Sequence, residues 1–329
     1  MRLPRRFFAA VLVLLLIVPA GRAGASPLPG PLAALPTELA ALTSHAPGHV
    51  AISIEDLTSG QSTSINGGAQ MPAASTIKIP VMVEVFRDLA RGAFDLNRQV
   101  TLTASDRDWG WGDLCDAPGG ARYSVGRLLS LMIDDSDNTA TNMLIRLVGR
   151  TSINQTMTTL GLEQTSLHDY IRSDGPIRDA LRSSPLDMIH LLDAMAHYRL
   201  VDEWSSREMI SILSGQHHNG LLPEPLPAGT LIAHKTGTLH DTLNDVGIVF
   251  LHQAPYAIAV MTTNLPTLDA GYDFIHGVSR LAYDEFARFA EWRETNALPD
   301  LEQPPQDLQM WTPANAVPSA LPDSENPRL

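Results

Sequence analysis

Apolar and polar residues alternate with period two through His49-Val50-Ala51-Ile52-Ser53-Ile54-Glu55, and Thr58-Ser59-Gly60-Gln61 then supplies turn residues. A second short strand follows, so a hairpin is expected, preceded by a short helix over residues 36–44. From residue 75 to residue 220 the period lengthens to that of helices. Ser124 is suited to cap a helix carrying Val125, Leu128, Leu129 and Met132 on one face. Ala140, Met143, Leu144, Leu147 and Val148 recur at helical spacing, with Gly149 as the stop. Pro185 opens another helix, with Met188, Leu191, Leu192 and Met195 facing inward.

The last third returns to strands at residues 231–236, 246–251 and 256–263, joined by turn residues and therefore antiparallel. A final helix is expected over 277–294. Two strands alone make a poor sheet, so the N-terminal hairpin must join the C-terminal strands. The fold class that follows is α+β: one antiparallel sheet built from both chain ends, flanked by terminal helices, with a helical insertion between. The α/β part covers about residues 36–73 and 230–297, and the helical part about 74–229.

The two ends of the chain read differently from the middle. Arg2, Arg5 and Arg6 precede an apolar run from Phe7 to Ala20, and Ala23-Gly24-Ala25 supplies small residues for cleavage. Residues 1–25 are expected to be a signal peptide, the run being too short to span a membrane comfortably. Without a Cys at the cleavage site, no lipid anchor is indicated. The mature protein is expected to be periplasmic or extracellular, without a membrane anchor. Residues 26–35 read as a linker. Residues 298–329 hold seven prolines and no periodicity, and a disordered tail is expected there.

Composition narrows the function. Of 329 residues, 44% are hydrophobic and 18% charged, enough apolar material for a globular core. The net charge of −13 and the lack of a basic stripe argue against a nucleic-acid partner. A monomer acting on a small molecule is expected. The lone Cys115 cannot form an internal disulfide, and without a neighbouring Cys-His pattern it reads as a bystander. The 11 His include no zinc-hydrolase arrangement, so neither metal nor cofactor is expected.

Lysine usage is the sharpest signal. Lys+Arg number 23, yet only Lys78 and Lys235 are lysines. Arg cannot lose its proton in a protein, whereas surroundings can neutralise Lys and make it a base. Lys78 lies three residues after Ser75 in Ala74-Ser75-Thr76-Ile77-Lys78. On a helix that spacing shares a face, so the amine can reach the hydroxyl and activate it. Pro80 fits this poorly, since a helix already running at Ser75 would leave the Thr76 carbonyl unpaired. Lys235-Thr236-Gly237-Thr238 ends a strand, where a lysine, a hydroxyl and an approachable backbone suit a carboxylate-bearing ligand. Strand parity turns His234 to the face opposite Lys235, as a structural histidine. Ser136-Asp137-Asn138 falls between two helices, where Asn138 can serve simply as an N-cap.

In this order, the three motifs resemble those of the penicillin-recognising serine enzymes, and the Ser-Asp-Asn form most resembles class A β-lactamases. The resemblance spans about residues 36–294. It implies Ser75 as the acylated nucleophile, Lys78 as its base and Ser136 as the proton relay to the leaving nitrogen. It further implies that Asn138 holds the substrate amide and that Lys235 and Thr236 bind its carboxylate. The backbone N–H groups of Ser75 and Thr238 would form an oxyanion hole. Trp109 or Trp111 stands near where the family has an aromatic gate, with core packing the alternative.

One position departs from the pattern. Where class A enzymes carry the Glu that activates the deacylating water, this chain has Ile171. Asp169 and Asp174 are the nearest candidates for that work, followed by Glu163 and Asp179. Three functions stay open: a serine β-lactamase, a D-Ala-D-Ala carboxypeptidase or esterase with the same acylation step, and a slowly deacylating sensor or scaffold.

Overall fold

The computed structural model describes residues 30–296 apart from residue 176. Its centre is a five-stranded antiparallel sheet: β1 (His49–Asp56), β2 (Ser62–Ile65), β3 (Ile232–Leu239), β4 (Thr242–Val249) and β5 (Tyr256–Thr263), in the order β2-β1-β5-β4-β3. The expected joining of the two chain ends is the β1–β5 ladder, in which Ile52 faces Val260. Both sheet faces are covered, so every residue of β4 and β5 is buried and neither strand alternates.

Against one face pack α1 (Leu35–Thr43) and the long α8 (Leu268–Thr295), with Tyr256 and Phe286 stacked at 4.3 Å between them and the sheet. The other face carries the helical part: α2 (Lys78–Ala90), α3 (Val125–Ile133), α4 (Asn138–Val148), α5 (Arg150–Thr159), α6 (Pro185–Ala196) and α7 (Glu203–Ser214). Ser124 caps α3 through Arg127 N, as its position suggested. Leu128, Leu129 and Met132 of that helix are fully buried, each contributing about 1.5–3 kcal/mol of transfer free energy.

Several boundaries differ from expectation; β3 runs on to Leu239, so Lys235-Thr236-Gly237 lies within the strand and not at its end. β4 begins at Thr242, four residues early, because Asn244 and Asp245 sit in the ladder with their side chains bonded inside the protein. α8 begins at Leu268, where the Thr267 hydroxyl accepts from Ala270 N. Residues 30–34, read as linker, form a 3-10 turn whose Leu32 is buried beside α8. The expected signal peptide and proline-rich tail lie outside the described residues. No described helix is long and apolar enough to cross a membrane.

Candidate active site

Ser75 stands on a 3-10 turn, Ala74–Ile77, that feeds directly into α2. The α-helix starts only at Lys78, so Pro80 occupies its first turn, where a backbone N–H has no intrahelical partner to lose. That removes the difficulty Pro80 posed. Ala74 immediately before Ser75 has φ +48°, and Ser136 has φ +57°. Non-glycine residues held in this region are strained, and the surrounding structure must hold them there. Part of the hold is Asn244, whose Nδ2 donates to Pro72 O at 2.8 Å and to Ala73 O at 3.1 Å.

Asn138 proves not to be the cap of α4. Asp137 takes that role, accepting from Ala140 N at 2.7 Å, while its other oxygen accepts from Leu114 N at 2.8 Å. The Asn138 side chain is therefore free to face the interior of the site. Lys78 is fully buried there, and its Nζ meets Ser136 O at 2.6 Å, Asn138 Oδ1 at 2.9 Å and Ser136 Oγ at 3.1 Å. The carbonyl and the amide oxygen can only accept, whereas the hydroxyl can donate. A neutral amine, with two N–H groups and one lone pair, satisfies all three. Burial, then the charge of Lys235, pulls the Lys78 pKa well below the ordinary value, against Asp137 and Asp108. Among the described residues, the hydrogen bonds of Nζ run to Ser136 and Asn138, and none to Ser75.

Strand β3 forms the opposite wall. A Cβ at Gly237 would lie 3.0 Å from Ala73 O and 3.1 Å from Ser75 N, so a side chain there would push the strand back from the Ser75 backbone. Lys235 is buried, with Nζ donating to Thr236 O at 3.2 Å, and Thr236 and Thr238 line the cleft. His234 points away, as strand parity required. Its Nδ1 lies 2.9 Å from Asp245 Oδ1 and its Nε2 3.0 Å from Asn219 Oδ1, which ties β3 to β4 and to the 216–222 segment.

Burial lowers the Lys235 pKa to about 7, opposed by Asp245 and Asp134. Its charge is therefore present below that pH and lost as pH rises through it. On the expectation that Lys235 holds a ligand carboxylate, affinity for a carboxylate-bearing ligand should fall roughly tenfold between about pH 6 and pH 8. Calorimetric titration at constant ionic strength measures it; a flat affinity across that window would rule out a titrating Lys235.

Between the walls lies a cleft of about 570 Å³ holding Ser75, Ser136, Asn138, Thr236 and Thr238. Trp111, half exposed at 49%, stands at its edge with its ring against His218 at 5.4 Å, and its carbonyl accepts from Asn138 N. Trp109, 70% exposed, lies outside, on a neighbouring hollow. Of the two gate candidates, only Trp111 borders the cleft, and neither is core packing. Buried Cys115 lies off the cleft, and burial raises its thiol pKa, so it stays a bystander.

The deacylation candidates fare otherwise. Among the described residues, the cleft lining includes no Asp or Glu. Asp169 is 61% exposed and pairs with Arg150 at 3.4 Å, and Asp174 borders the hollow beside Trp109. Glu163 is exposed, and Asp179 is exposed next to Arg182. Between Asp169 and Asp174, the backbone of Ile171 is held by Asn142. The Ile171 N–H donates to Asn142 Oδ1 at 2.8 Å, and its carbonyl accepts from Asn142 Nδ2 at 3.0 Å. That double clamp leaves an aliphatic side chain, 2% exposed, in the cleft wall. Sequence reasoning also missed Asp108, Ser173 and Arg178. The last ties the loop after Ile171 to Asp241, Thr263 and Asn264. No motif marks them.

A hydroxyl on a strained turn, a buried lysine one helical turn on with its pKa pulled down, and a strand edge over both are the parts of an active-site serine hydrolase. The sequence pattern of the beta-lactamase enzyme family matches residues 34–286, and the chain belongs to that family. The extended-spectrum β-lactamase PER-1 of Pseudomonas aeruginosa is 28% identical over 225 residues, 60% of this chain and 68% of the relative. A solved β-lactamase from Sphaerobacter thermophilus superposes with a TM-score of 0.72 at 30% identity, over 78% of this chain and 98% of that one. PBP-A gives 0.72 at 31% identity, over 78% and 97%. A leucine-to-glutamate variant of PBP-A is solved as an acyl-enzyme complex with penicillin G.

Proposed function

We propose that this enzyme opens the amide of β-lactams through an ester on Ser75. The buried Lys78 amine, three residues after Ser75 and within hydrogen-bond reach of the Ser136 hydroxyl, is the observation that carries the reading. As the Ser75 oxygen bonds to the lactam carbonyl carbon, its proton passes to Lys78. The Ser136 hydroxyl gives its proton to the departing nitrogen and regains one from Lys78, so the amine ends neutral again. Asn138 orients the acyl amide, and Lys235 with Thr236 holds the carboxylate. The N–H groups of Ser75 and Thr238 receive the developing oxyanion, which the close passage at Gly237 permits. Water then releases the acid from the ester. The protein works as a monomer exported by residues 1–25; the basic start, apolar run and small-residue site support that export.

The carboxylate-free cleft favours a second reading, in which the same ester forms on a peptide or lactam and leaves slowly. One experiment separates the two. Purified protein is mixed with a chromogenic cephalosporin, turnover is followed, and the trapped species is mapped by mass spectrometry. Many turnovers with a transient adduct on Ser75 support hydrolysis of lactams. A stoichiometric, lasting adduct supports the slow enzyme. Colour release without any adduct on Ser75 would defeat both.

A further inference from the structure

Behind Asn138 lies a carboxylate that none of the three motifs contains. Asp108 is 4% exposed, and its Oδ1 accepts from Asn138 Nδ2 at 2.7 Å. It also accepts from Ser173 N at 2.7 Å, Gly110 N at 3.0 Å and the Ser173 hydroxyl. Burial alone would favour the acid form, but these bonds outweigh it and hold the carboxyl below its ordinary pKa. Asp108 is thus an anion that accepts hydrogen bonds and donates none.

An amide beside such a group has one orientation open to it. Its NH₂ must face Asp108, and so its oxygen must face Lys78, where it accepts from Nζ at 2.9 Å. The Ser136 carbonyl takes the other N–H of the neutral amine at 2.6 Å. The lone pair then has one direction left, toward the hydroxyl of Ser136 at 3.1 Å. With the amide reversed, Nδ2 would present its hydrogens to the amine, and the lone pair would be occupied by a spectator.

We propose that Asp108 is a positioning residue of this enzyme: through the Asn138 amide it aims the lone pair of Lys78 at the Ser136 hydroxyl. The inference rests on the reading of Lys78 as the base. The charged groups facing Lys78 are Lys235 from β3, Asp137 from the start of α4 and Asp108 from the segment before Trp109. Removing the charge of Asp108 therefore leaves Lys235 opposed by Asp137 alone.

The test uses the protein labelled with carbon-13 at the lysine ε position, which gives resonances from two lysines only. Asp108→Asn is expected to lower the Lys78 pKa further and to move the acidic limb of the acylation rate profile the same way. It should slow acylation of Ser75 by a cephalosporin roughly tenfold. In an Asn138→Ala background the same change should alter the rate less than about twofold, because the amide through which Asp108 acts is gone. Additive losses in the two backgrounds, or a parental rate and pH profile in Asp108→Asn, would overturn the proposal. Should Asp108→Asn not fold, Asp108→Ser enters the same cycle with the same expectation of non-additivity. A parent protein that never acylates on Ser75 overturns the functional reading itself. Acylation of the parent with an additive cycle overturns only the role of Asp108.

Discussion

Lys78→Arg will form the Ser75 ester at least about a thousandfold more slowly than the parent, the scale of a lost general base. The residue it replaces is fully buried, and its three contacts match a neutral amine. A guanidinium keeps its proton, so it can complement the Ser136 carbonyl and the Asn138 oxygen but cannot accept a proton from Ser75. It must also bury a charge in a place where burial already disfavours one. A lowered melting temperature should therefore accompany the loss. Quenched-flow mixing with mass detection of the adduct measures the rate. Acylation within tenfold of the parent would show that Lys78 is not the base.

Ile171→Glu is expected to act on the other half of the reaction, shortening the life of the acyl-enzyme by about a hundredfold or more, the scale of a new general base. Asn142 holds the backbone of this position from both its N–H and its carbonyl, independently of the side chain. A glutamate of similar size would therefore project from a fixed point into a cleft wall that has no carboxylate. Burial will raise the pKa of the new acid, so the gain should grow with pH until it ionises. Burying the group should cost about 1–3 kcal/mol of stability. Acylation should change little, since Ser75, Lys78 and Ser136 are untouched. The decay of a preformed adduct after dilution gives the measurement. A folded variant with parental decay would show that a carboxylate at this position does not activate the water.

Much of this site could be read from the chain, and the reasons are physical. Ser75, Lys78, Ser136 and Lys235 lie within short motifs whose local element, turn, helix start or strand, sets their direction. Two lysines among 23 basic residues marked where a removable proton is wanted. What escaped depends on distant segments meeting. Asp108 and Asn138 stand 30 residues apart, and nothing local in either segment shows that they share a hydrogen bond. The choice of Asp137 over Asn138 as cap was equally invisible, since both residue types cap helices well. Asp169 and Asp174 drew attention by proximity in sequence, but proximity does not orient a carboxylate, and Arg150 holds the first outside. In the fold, the start of β4 was hidden by Asn244 and Asp245. They look like turn residues but serve as buried struts to Ala73 and His234.

The ladder between β1 and β5 also bears on how the protein comes into being. Its partners, such as Ile52 and Val260, are separated by about three quarters of the described chain. Closing so long a loop costs entropy before any contact repays it, and topologies of this kind fold slowly. A ribosome that has emitted everything through β4 has made Ser75, Lys78, Ser136 and Lys235 but has not made the strand that β1 and β4 both pair with. The nascent chain therefore carries all four of these residues in order while the sheet that brings them together still lacks its middle strand. Folding of the sheet waits for the last third of the sequence, and activity appears as one late event, not by increments.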